Sequence, residues 1–233
     1  KKDVTSYAIP EGVTKIVDYA FSVCTLTSIT LPEGLTKIGS YAFYLCTLTS
    51  ITIPKGVTEI GEHAFDGCSS LTSITIPESV TTIGKSAFSN CSSLTSITIP
   101  ESVKTIGEGA FNGCSSLPSI DVALDNNSYT SIDGVLFSKD KTILIKYPEG
   151  KKDVTSYIIP EGVTKIGDNV FDGCSSLTSI TLPKSVTSIG GGTFQGCSSL
   201  TSITLPESVT SIGGSAFLDC IGLTSVEFNA KNC

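Results

Sequence analysis

The stretch Leu71–Cys91, LTSITIPESVTTIGKSAFSNC, recurs eight times with small changes and decides the fold. Each copy has a proline, a phenylalanine eleven residues later and a cysteine three residues after that. Successive copies are 22 or 23 residues apart, except for one step of 60 residues. A fixed period of this length is typical of a solenoid, in which each coil contacts only its neighbours. The phenylalanines of repeats 1–8 are Phe21, Phe43, Phe65, Phe88, Phe111, Phe171, Phe194 and Phe217.

The first half of each repeat has the pattern of a strand with one buried face. Leu71, Ile74 and Ile76 alternate with threonine and serine, which is the period expected of a half-buried strand. Pro77 then ends the strand because proline has no N–H to donate to a neighbouring strand. Each repeat is therefore expected to contribute one such strand.

The second half of each repeat contains a shorter apolar segment and a turn. Residues 80–83 have apolar ends and are followed by Gly84, which recurs in every repeat except the first. We expect residues 85–91 to form a short helical turn that directs Ala87, Phe88 and Cys91 inward. The predicted fold class is therefore a β-rich solenoid with short second strands and short helical turns.

The chain is predicted to be a single solenoid over residues 1–233, with regular coils in 1–117 and 160–233. Residues 118–159 break the period. Asp133-Gly134 lies between apolar flanks, which is a strong hairpin signal, and a second hairpin is expected to turn at residues 139–141. We expect both hairpins to replace coils within the stack.

Residues 1–16 and 151–166 differ at a single position, so a repeat of 150 residues is superimposed on the short one. The second copy stops partway, and residues 223–233 begin a coil without a polar cap. Solenoid ends need such caps for solubility. We therefore expect the natural protein to continue beyond Cys233, and we expect end-to-end self-association of this chain through its uncapped last coil.

Charge and hydropathy exclude two classes of partner. The net charge is −7 and the chain has no arginine, whereas nucleic-acid binding needs clustered cations. The longest apolar run is six residues, YAFYLC at 41–46, far short of the roughly 20 that span a bilayer. We expect neither a nucleic-acid partner nor a membrane-spanning segment.

The combined pattern LxxIxLPxxVTxIGxxAFxxC, with the block NNSYTSIDGVLFSKDKTILIKYP between the two arrays, resembles the BspA-like leucine-rich-repeat family of bacterial surface proteins. The resemblance covers nearly the whole chain. It implies a curved leucine-rich-repeat solenoid with a ladder of parallel strands, secreted or displayed at the cell surface. It also implies adhesion to host extracellular matrix proteins and bacterial co-aggregation. The family has no shared catalytic residues to carry over.

Eight of the nine cysteines occupy one place in the repeat, so the stack should align them in a ladder about 4.8 Å apart. That spacing permits disulfides, but equivalent side chains point the same way and do not face each other. We therefore expect small buried thiols. Cys233 lies outside the ladder and is expected to be exposed and reactive.

No catalytic or metal-binding set is apparent. His63 is the single histidine, and the hydroxyl residues are too repetitive to single out a nucleophile. Asp121 and residues 125–127 lack the alternating ligands of a calcium loop and are interpreted as a turn. We expect no enzyme activity, no metal and no cofactor.

Two surfaces are candidates for binding. One is a uniform face of threonine and serine: Thr72, Ser73 and Thr75 recur at equivalent positions in the other repeats, for example as Thr27, Ser28 and Thr30. The other is an aromatic strip, in which Tyr19, Tyr41 and His63 share one register and Tyr44 is close by. The alternative interpretations of the strip are sequence drift at unconstrained outer positions, or packing against an N-terminal coil that is absent from this chain. The sequence thus supports an adhesin-like module that binds host matrix protein or glycan, or a structural spacer within a larger surface protein.

Overall fold

The computed structural model describes residues 5–228, and these residues form strands and turns with no helix among them. The chain divides into two compact units, one up to Ser128 and one from Tyr129 onward. Each unit is a parallel β-solenoid with coils of about 23 residues. A single stack over residues 1–233 stays a prediction.

The first unit contains two sets of parallel strands. The short second strands of repeats 1–5 form one five-stranded sheet in the order β10-β8-β6-β4-β2. The first strands pair in twos, as β1–β3, β5–β7 and β9–β11. The strands are β1 (Ser6–Ala8), β2 (Lys15–Ile16), β3 (Ser28–Thr30), β4 (Lys37–Ile38), β5 (Ser50–Thr52), β6 (Glu59–Ile60), β7 (Ser73–Thr75), β8 (Thr82–Ile83), β9 (Thr98–Ile99), β10 (Thr105–Ile106) and β11 (Asp121–Val122).

The second unit begins with the two predicted hairpins and continues as a regular ladder. Its main sheet has the order β12-β13-β14-β16-β18-β20, and β15–β17 and β19–β21 form two smaller parallel pairs. The strands are β12 (Tyr129–Ile132), β13 (Val135–Ser138), β14 (Ile143–Lys146), β15 (Ser156–Ile158), β16 (Lys165–Ile166), β17 (Ser179–Thr181), β18 (Ser188–Ile189), β19 (Ser202–Leu205), β20 (Ser211–Ile212) and β21 (Ser225–Phe228).

Both hairpins form where the sequence indicates. Strands β12 and β13 pair antiparallel around Asp133-Gly134, and both turn residues have positive φ. Strand β14 pairs antiparallel with β13 and parallel with β16. The hairpins therefore join the strand ladder of the second unit. That they replace coils within a single stack stays a prediction.

The core of each unit consists of columns of identical side chains. Partner residues across the ladder carry the same residue type, as in the register of Ile38, Ile60 and Ile83, and all three are fully buried. Phe65 and Phe88 stack with ring centroids 5.5 Å apart and an interplanar angle of 3°. Burying a side chain of this size contributes roughly 1.5–3 kcal/mol, so the fixed period aligns the residues that stabilise the stack.

The predicted helical turn at residues 85–91 is wrong. The N–H groups of Ser86, Phe88 and Asn90 donate to carbonyls of the next coil at 2.9, 2.9 and 2.6 Å. The N–H groups of Ala87 and Ser89 donate within the coil, each to the carbonyl three residues earlier. An α-helix needs every N–H to donate to the carbonyl four residues earlier. Because alternate N–H groups bind the neighbouring coil, the segment is a stacked series of turns.

The recurrent glycine allows adjacent coils to approach closely. A Cβ atom on Gly84 would lie 2.5 Å from Glu62 N and 2.6 Å from Gly61 C. No side chain fits between these backbones. The glycine therefore recurs because the backbone of the preceding coil occupies the space that a side chain would need.

Part of the predicted C-terminal association surface lies outside the described residues. Ile221 and Phe228 lie at the end of the described chain and are 85% and 62% exposed. Cys233, expected to be reactive, is among the residues that are not described. End-to-end association through residues 223–233 stays a prediction.

Candidate functional site

Every regular repeat contains two residues with left-handed backbone, four residues apart. We call these positions the first and second left-handed registers, and their φ values lie between 51° and 75° in all eight repeats. The first register holds, in chain order, Tyr19, Tyr41, His63, Ser86, Gly109, Asn169, Gly192 and Ser215. The second register holds Val23, Leu45, Gly67, Asn90, Gly113, Gly173, Gly196 and Asp219.

The residues in these registers are unusual at the N-terminal end of the first unit. From repeat 4 onward both registers hold only glycine, asparagine, serine or aspartate, which tolerate a left-handed backbone or are common in turns. Repeats 1 and 2 hold tyrosine in the first register and Val23 and Leu45 in the second. A bulky residue with this backbone costs roughly 1–2 kcal/mol, so these repeats accept strain that the others avoid.

The structure brings the four residues of the predicted aromatic strip together. Tyr19 and Tyr41 stack with ring centroids 4.7 Å apart and an interplanar angle of 5°. Tyr41 and His63 stack at 4.6 Å and 10°. Tyr44 meets Tyr41 edge to face at 5.5 Å and 75°. Tyr19 is 60% exposed, so the column begins at the protein surface.

Asp66 holds the His63 ring in this column. The carboxylate Oδ2 lies 2.9 Å from His63 Nδ1, and Oδ1 accepts a hydrogen bond of 3.0 Å from Asn90 Nδ2. Asp66 is buried, and its carboxylate is fixed from two coils at once. This contact sets the orientation of the ring and leaves Nε2 as the nitrogen away from Asp66.

Val23 and Leu45 extend the strip into a larger patch that sequence reasoning missed. Their side chains are 66% and 46% exposed. The signal was present in the sequence, because glycine, asparagine or aspartate recurs at the same place in every other repeat. We define the aromatic patch as Tyr19, Tyr41, Tyr44, His63, Val23 and Leu45.

Acidic side chains surround the aromatic patch. Asp18 and Glu62 are exposed and each precedes a member of the column by one residue. Partial desolvation, and then the neighbouring Tyr19 and Glu62, raise the pKa of the Tyr41 phenol above its ordinary value. Desolvation and neighbouring negative charge both disfavour the ionised phenol. Residues 9–68 contain six carboxylates and three lysines, so the coils that carry the patch have a net negative charge.

On the face of threonine and serine, the position occupied by Thr72 has a structural role. Thr49 Oγ1 donates to Thr27 O at 3.2 Å, Thr72 Oγ1 donates to Thr49 O at 3.2 Å, and Thr95 Oγ1 donates to Thr72 O at 3.1 Å. Repeats in the second unit use the same bond, as between Thr178 and Thr155. These hydroxyl protons join neighbouring coils and are therefore used within the fold.

An open groove also runs beside the proline turns of repeats 2–4. It has a volume of about 640 Å³, and Ile53, Pro54, Ile76 and Pro77 line its apolar part. A groove of about 330 Å³ occurs beside Pro206 in the second unit. Because the groove recurs with the repeat, it is a general feature of the coil and does not distinguish one site.

The ladder cysteines are free thiols, as the sequence predicts. From repeat 2 onward the thiol lies near a backbone carbonyl of the preceding coil, as in Cys68 Sγ to Phe43 O at 3.1 Å. Burial raises the pKa of the Cys68 thiol to about 12. Cys24 is partly exposed, and its sulfur lies 2.7 Å from Cys46 Sγ.

The other candidate sites in the sequence have structural roles or lack ligands. Asn126 is fully buried, and its Nδ2 donates to Pro100 O and Val103 O at 2.7 and 3.1 Å. Residues 125–127 are therefore a turn fixed to the preceding coil. Among residues 5–228 no three histidine, cysteine or acidic side chains form a group that suits a metal ion. In that part of the chain no helix has the length and apolar character to cross a membrane.

Several solved structures are similar to this chain. A pneumococcal vaccine antigen, PcpA, matches with a TM-score of 0.84 and 30% identity over 96% of this chain and 62% of the antigen. A leucine-rich repeat protein from Eubacterium ventriosum matches with a TM-score of 0.78 and 30% identity over 97% of this chain and 66% of its own. A leucine-rich cell surface protein from Faecalibacterium prausnitzii matches with a TM-score of 0.56 and 27% identity over 99% and 89% of the two chains.

This chain thus spans less than two thirds of the first two of these structures. A search of curated proteins finds no significant match. The profile of the BspA type leucine rich repeat region matches six times, over residues 1–118, 36–153 and 147–232. These matches cover nearly all of the repeats described above. The chain therefore belongs to the BspA-type leucine-rich-repeat family of bacterial proteins.

Proposed function

We propose that this chain is a non-enzymatic, adhesin-like binding module, secreted or displayed at the bacterial surface. Its partner is a host extracellular matrix protein or glycan, and its binding site is the aromatic patch. One observation carries the proposal. Repeats 1 and 2 place tyrosine, valine and leucine where the backbone favours glycine or asparagine, and Tyr19, Val23 and Leu45 among them are exposed. Backbone strain that the fold does not need is concentrated at functional sites.

The family and its neighbours support the location. The similar structures include a vaccine antigen and a cell surface protein, and antigens of that kind are accessible from outside the cell. Tyrosine is enriched among the residues that dominate binding energy. Many copies of a modest site on one cell would also raise the overall avidity.

The alternative is a structural spacer within a larger surface protein. Repeats 4–8 favour it, because their left-handed registers hold small or polar residues. Their threonine hydroxyls also bind neighbouring coils. In our proposal these repeats support the patch, and in the alternative the whole chain has that supporting role.

Binding to immobilised fibronectin, fibrinogen and mucin tests the proposal. The parent chain is compared with a Tyr19→Ser/Tyr41→Ser/Tyr44→Ser variant. A matched control is Ser86→Asn/Ser215→Asn, which changes the first left-handed register without adding or removing aromatic rings. We expect the parent and the control to bind at least one of the three surfaces and the tyrosine variant to lose that binding. Thermal unfolding of all three proteins checks that the variant remains folded.

Two results would contradict the proposal. Equal binding by the parent and the tyrosine variant would move the site away from the patch. Absence of binding by the parent to all three surfaces would make the spacer the better account.

A further inference from the structure

We infer that the aromatic patch fits a cationic protein segment with apolar side chains, and that it does not act as a stacking platform for sugar rings. This inference rests on the proposed function, because it assigns the partner class of the same patch. Three features of the patch carry it: the covered ring faces, the exposed aliphatic side chains and the uncompensated acidic groups.

The ring faces in the middle of the column are covered. Tyr19 lies on one face of Tyr41 at 4.7 Å and His63 lies on the other at 4.6 Å. Sugar C–H groups bind aromatic residues through the electron-rich face, not the edge, because the edge carries partial positive charge. The remaining faces of Tyr19 and His63 look along the column, since the three rings are nearly parallel. The outer face of Tyr19 is open at the end of the column, since this residue is 60% exposed and its other face stacks on Tyr41. Behind Tyr19 the column presents ring edges and phenol oxygens to a partner.

Exposed aliphatic residues occupy the second left-handed register of the same two repeats. Val23 and Leu45 follow Tyr19 and Tyr41 by four residues and are 66% and 46% exposed. Tyr44 adds a ring held edge to face against Tyr41. Tyrosine beside aliphatic surface is typical of the centre of a protein–protein interface. A partner surface that desolvates this area must itself offer apolar side chains.

The charges around the patch are acidic, and two nearby lysines, Lys37 and Lys85, are paired. Lys85 occupies the position in repeat 4 that Glu62 occupies in repeat 3. Its Nζ lies 3.2 Å from Glu108 and is therefore paired with that carboxylate. On the adjacent strands Lys37 Nζ lies 2.9 Å from Glu59. Lys15 adds one exposed cation to this end of the unit, and the six carboxylates of residues 9–68 still outnumber the three lysines. Charge complementarity therefore favours a partner that carries lysine or arginine.

The first experiment compares three probes. Two synthetic peptides share the same leucine and tyrosine positions, and the remaining positions are arginine in one and glutamate in the other. The third probe is chitohexaose, an uncharged oligosaccharide. We expect the arginine peptide to bind more tightly than the other two probes, and we expect its affinity to fall as the salt concentration rises, because exposed charges are screened.

The second experiment reverses one charge. Glu62→Lys should weaken binding of the arginine peptide by about tenfold, because like charges then face each other. Glu101→Lys is the matched control, since it makes the same change in net charge at an exposed turn in repeat 5. It should leave the affinity unchanged, as judged by titration calorimetry on proteins with equal unfolding midpoints.

The outcomes separate this inference from the proposed function. The inference is overturned if chitohexaose binds more tightly than the arginine peptide, if the glutamate peptide binds as well as the arginine peptide, or if Glu62→Lys and Glu101→Lys behave alike. The proposed function would survive each of these results, provided that the tyrosine variant still loses binding to the matrix panel. If the tyrosine variant binds that panel as the parent does, the proposed function itself fails.

Discussion

Repeats 1 and 2 and repeats 4 and 5 have the same backbone at the two left-handed registers but very different side chains. Repeat 4 holds Ser86 and Asn90, and repeat 5 holds two glycines. Repeats 1 and 2 hold tyrosine in the first register, with Val23 and Leu45 in the second. The backbone is fixed by hydrogen bonds between coils, so side chains in these registers do not determine it. The side chain found in each register therefore reflects either the conformational cost of the left-handed backbone or a function of that side chain.

The cysteine register shows a second difference between the same regions. Cys24 in repeat 1 is partly exposed, whereas Cys68 and Cys91 are fully buried. The sulfur of Cys24 faces that of Cys46 at 2.7 Å, whereas Cys68 and Cys91 point towards backbone carbonyls. Equivalent positions in a repeat thus have equivalent backbones but different chemical surroundings.

The comparison depends on close stacking of the coils, and Gly84→Ala should disrupt that stacking. The new Cβ would lie 2.5 Å from Glu62 N and 2.6 Å from Gly61 C, so the coils must separate. We expect the free energy of unfolding to fall by about 3 kcal/mol. Chemical denaturation measures this change.

Gly34→Ala is the control for Gly84→Ala, because a Cβ added at Gly34 would have no atom within 4 Å and the φ of this residue is not left-handed. We expect the control to change the free energy of unfolding by less than about 1 kcal/mol. Similar losses at both positions would contradict the close-stacking explanation.

The buried cysteines should make the fold sensitive to high pH. Burial raises the pKa of the Cys68 thiol to about 12 from an ordinary 9.0. The unfolded chain then releases a proton above pH 9 that the folded chain keeps. The contribution of this thiol to stability is present below pH 9 and is lost as the pH rises towards 12.

Cys68→Ala tests this pH dependence. Between pH 9 and pH 11 the parent should lose about 1.4 kcal/mol per pH unit more, for this one group, than the variant does. Cys24→Ala is the control at the same register in a more exposed environment. An identical slope in the parent and in Cys68→Ala would show that the buried thiol does not keep its proton.

Much of the fold follows from the period of the sequence. The columns of isoleucine and phenylalanine, the strand ladder and the hairpin at Asp133-Gly134 can all be predicted because they depend on local pattern and on spacing. The helical turn was wrong for a physical reason. An inward Ala-Phe pair followed by cysteine suits either a helical turn or stacked turns, and only hydrogen bonds to the next coil decide between them.

The site was only partly predictable. The shared register of Tyr19, Tyr41 and His63 can be read from the spacing, but the parallel stacking of their rings depends on the left-handed backbone. The contact between Asp66 and His63 was also missed, because it depends on how one turn is shaped by its neighbour. Recurrent glycine and asparagine four residues apart were the available sign of these registers, and they also mark Val23 and Leu45 as exceptions.

The second unit contains a buried tyrosine, Tyr147, whose hydroxyl we expect to lower the stability of the fold. Tyr147 stacks near Phe171 with centroids 5.3 Å apart, and its hydroxyl has no hydrogen-bond partner among the described residues. Burial raises the pKa of this phenol to about 12. Tyr147→Phe should raise the free energy of unfolding by about 1 kcal/mol, because it removes an unsatisfied buried polar group. The reverse change, Phe171→Tyr, should lower it, and a destabilised Tyr147→Phe protein would show that the hydroxyl is bonded in solution.

Val23→Asn separates conformational cost from function within the patch. Valine is β-branched and adopts φ 56° here, while its side chain is 66% exposed. Asparagine tolerates this backbone, so we expect the free energy of unfolding to rise by about 0.5–1 kcal/mol. If the patch binds a partner, the same variant should bind the matrix panel more weakly, since stability and activity trade off at strained sites.

Gly196→Val makes the opposite change in the second unit, at a position where a Cβ would meet its nearest neighbour at an ordinary 3.5 Å. It should destabilise the fold by about 1–2 kcal/mol because it introduces the strain without a clash. A more stable Val23→Asn protein that binds as well as the parent would indicate that the valine results from neutral sequence drift at an outer position. A more stable protein that binds less well would show that repeat 1 keeps a strained valine because a partner contacts it.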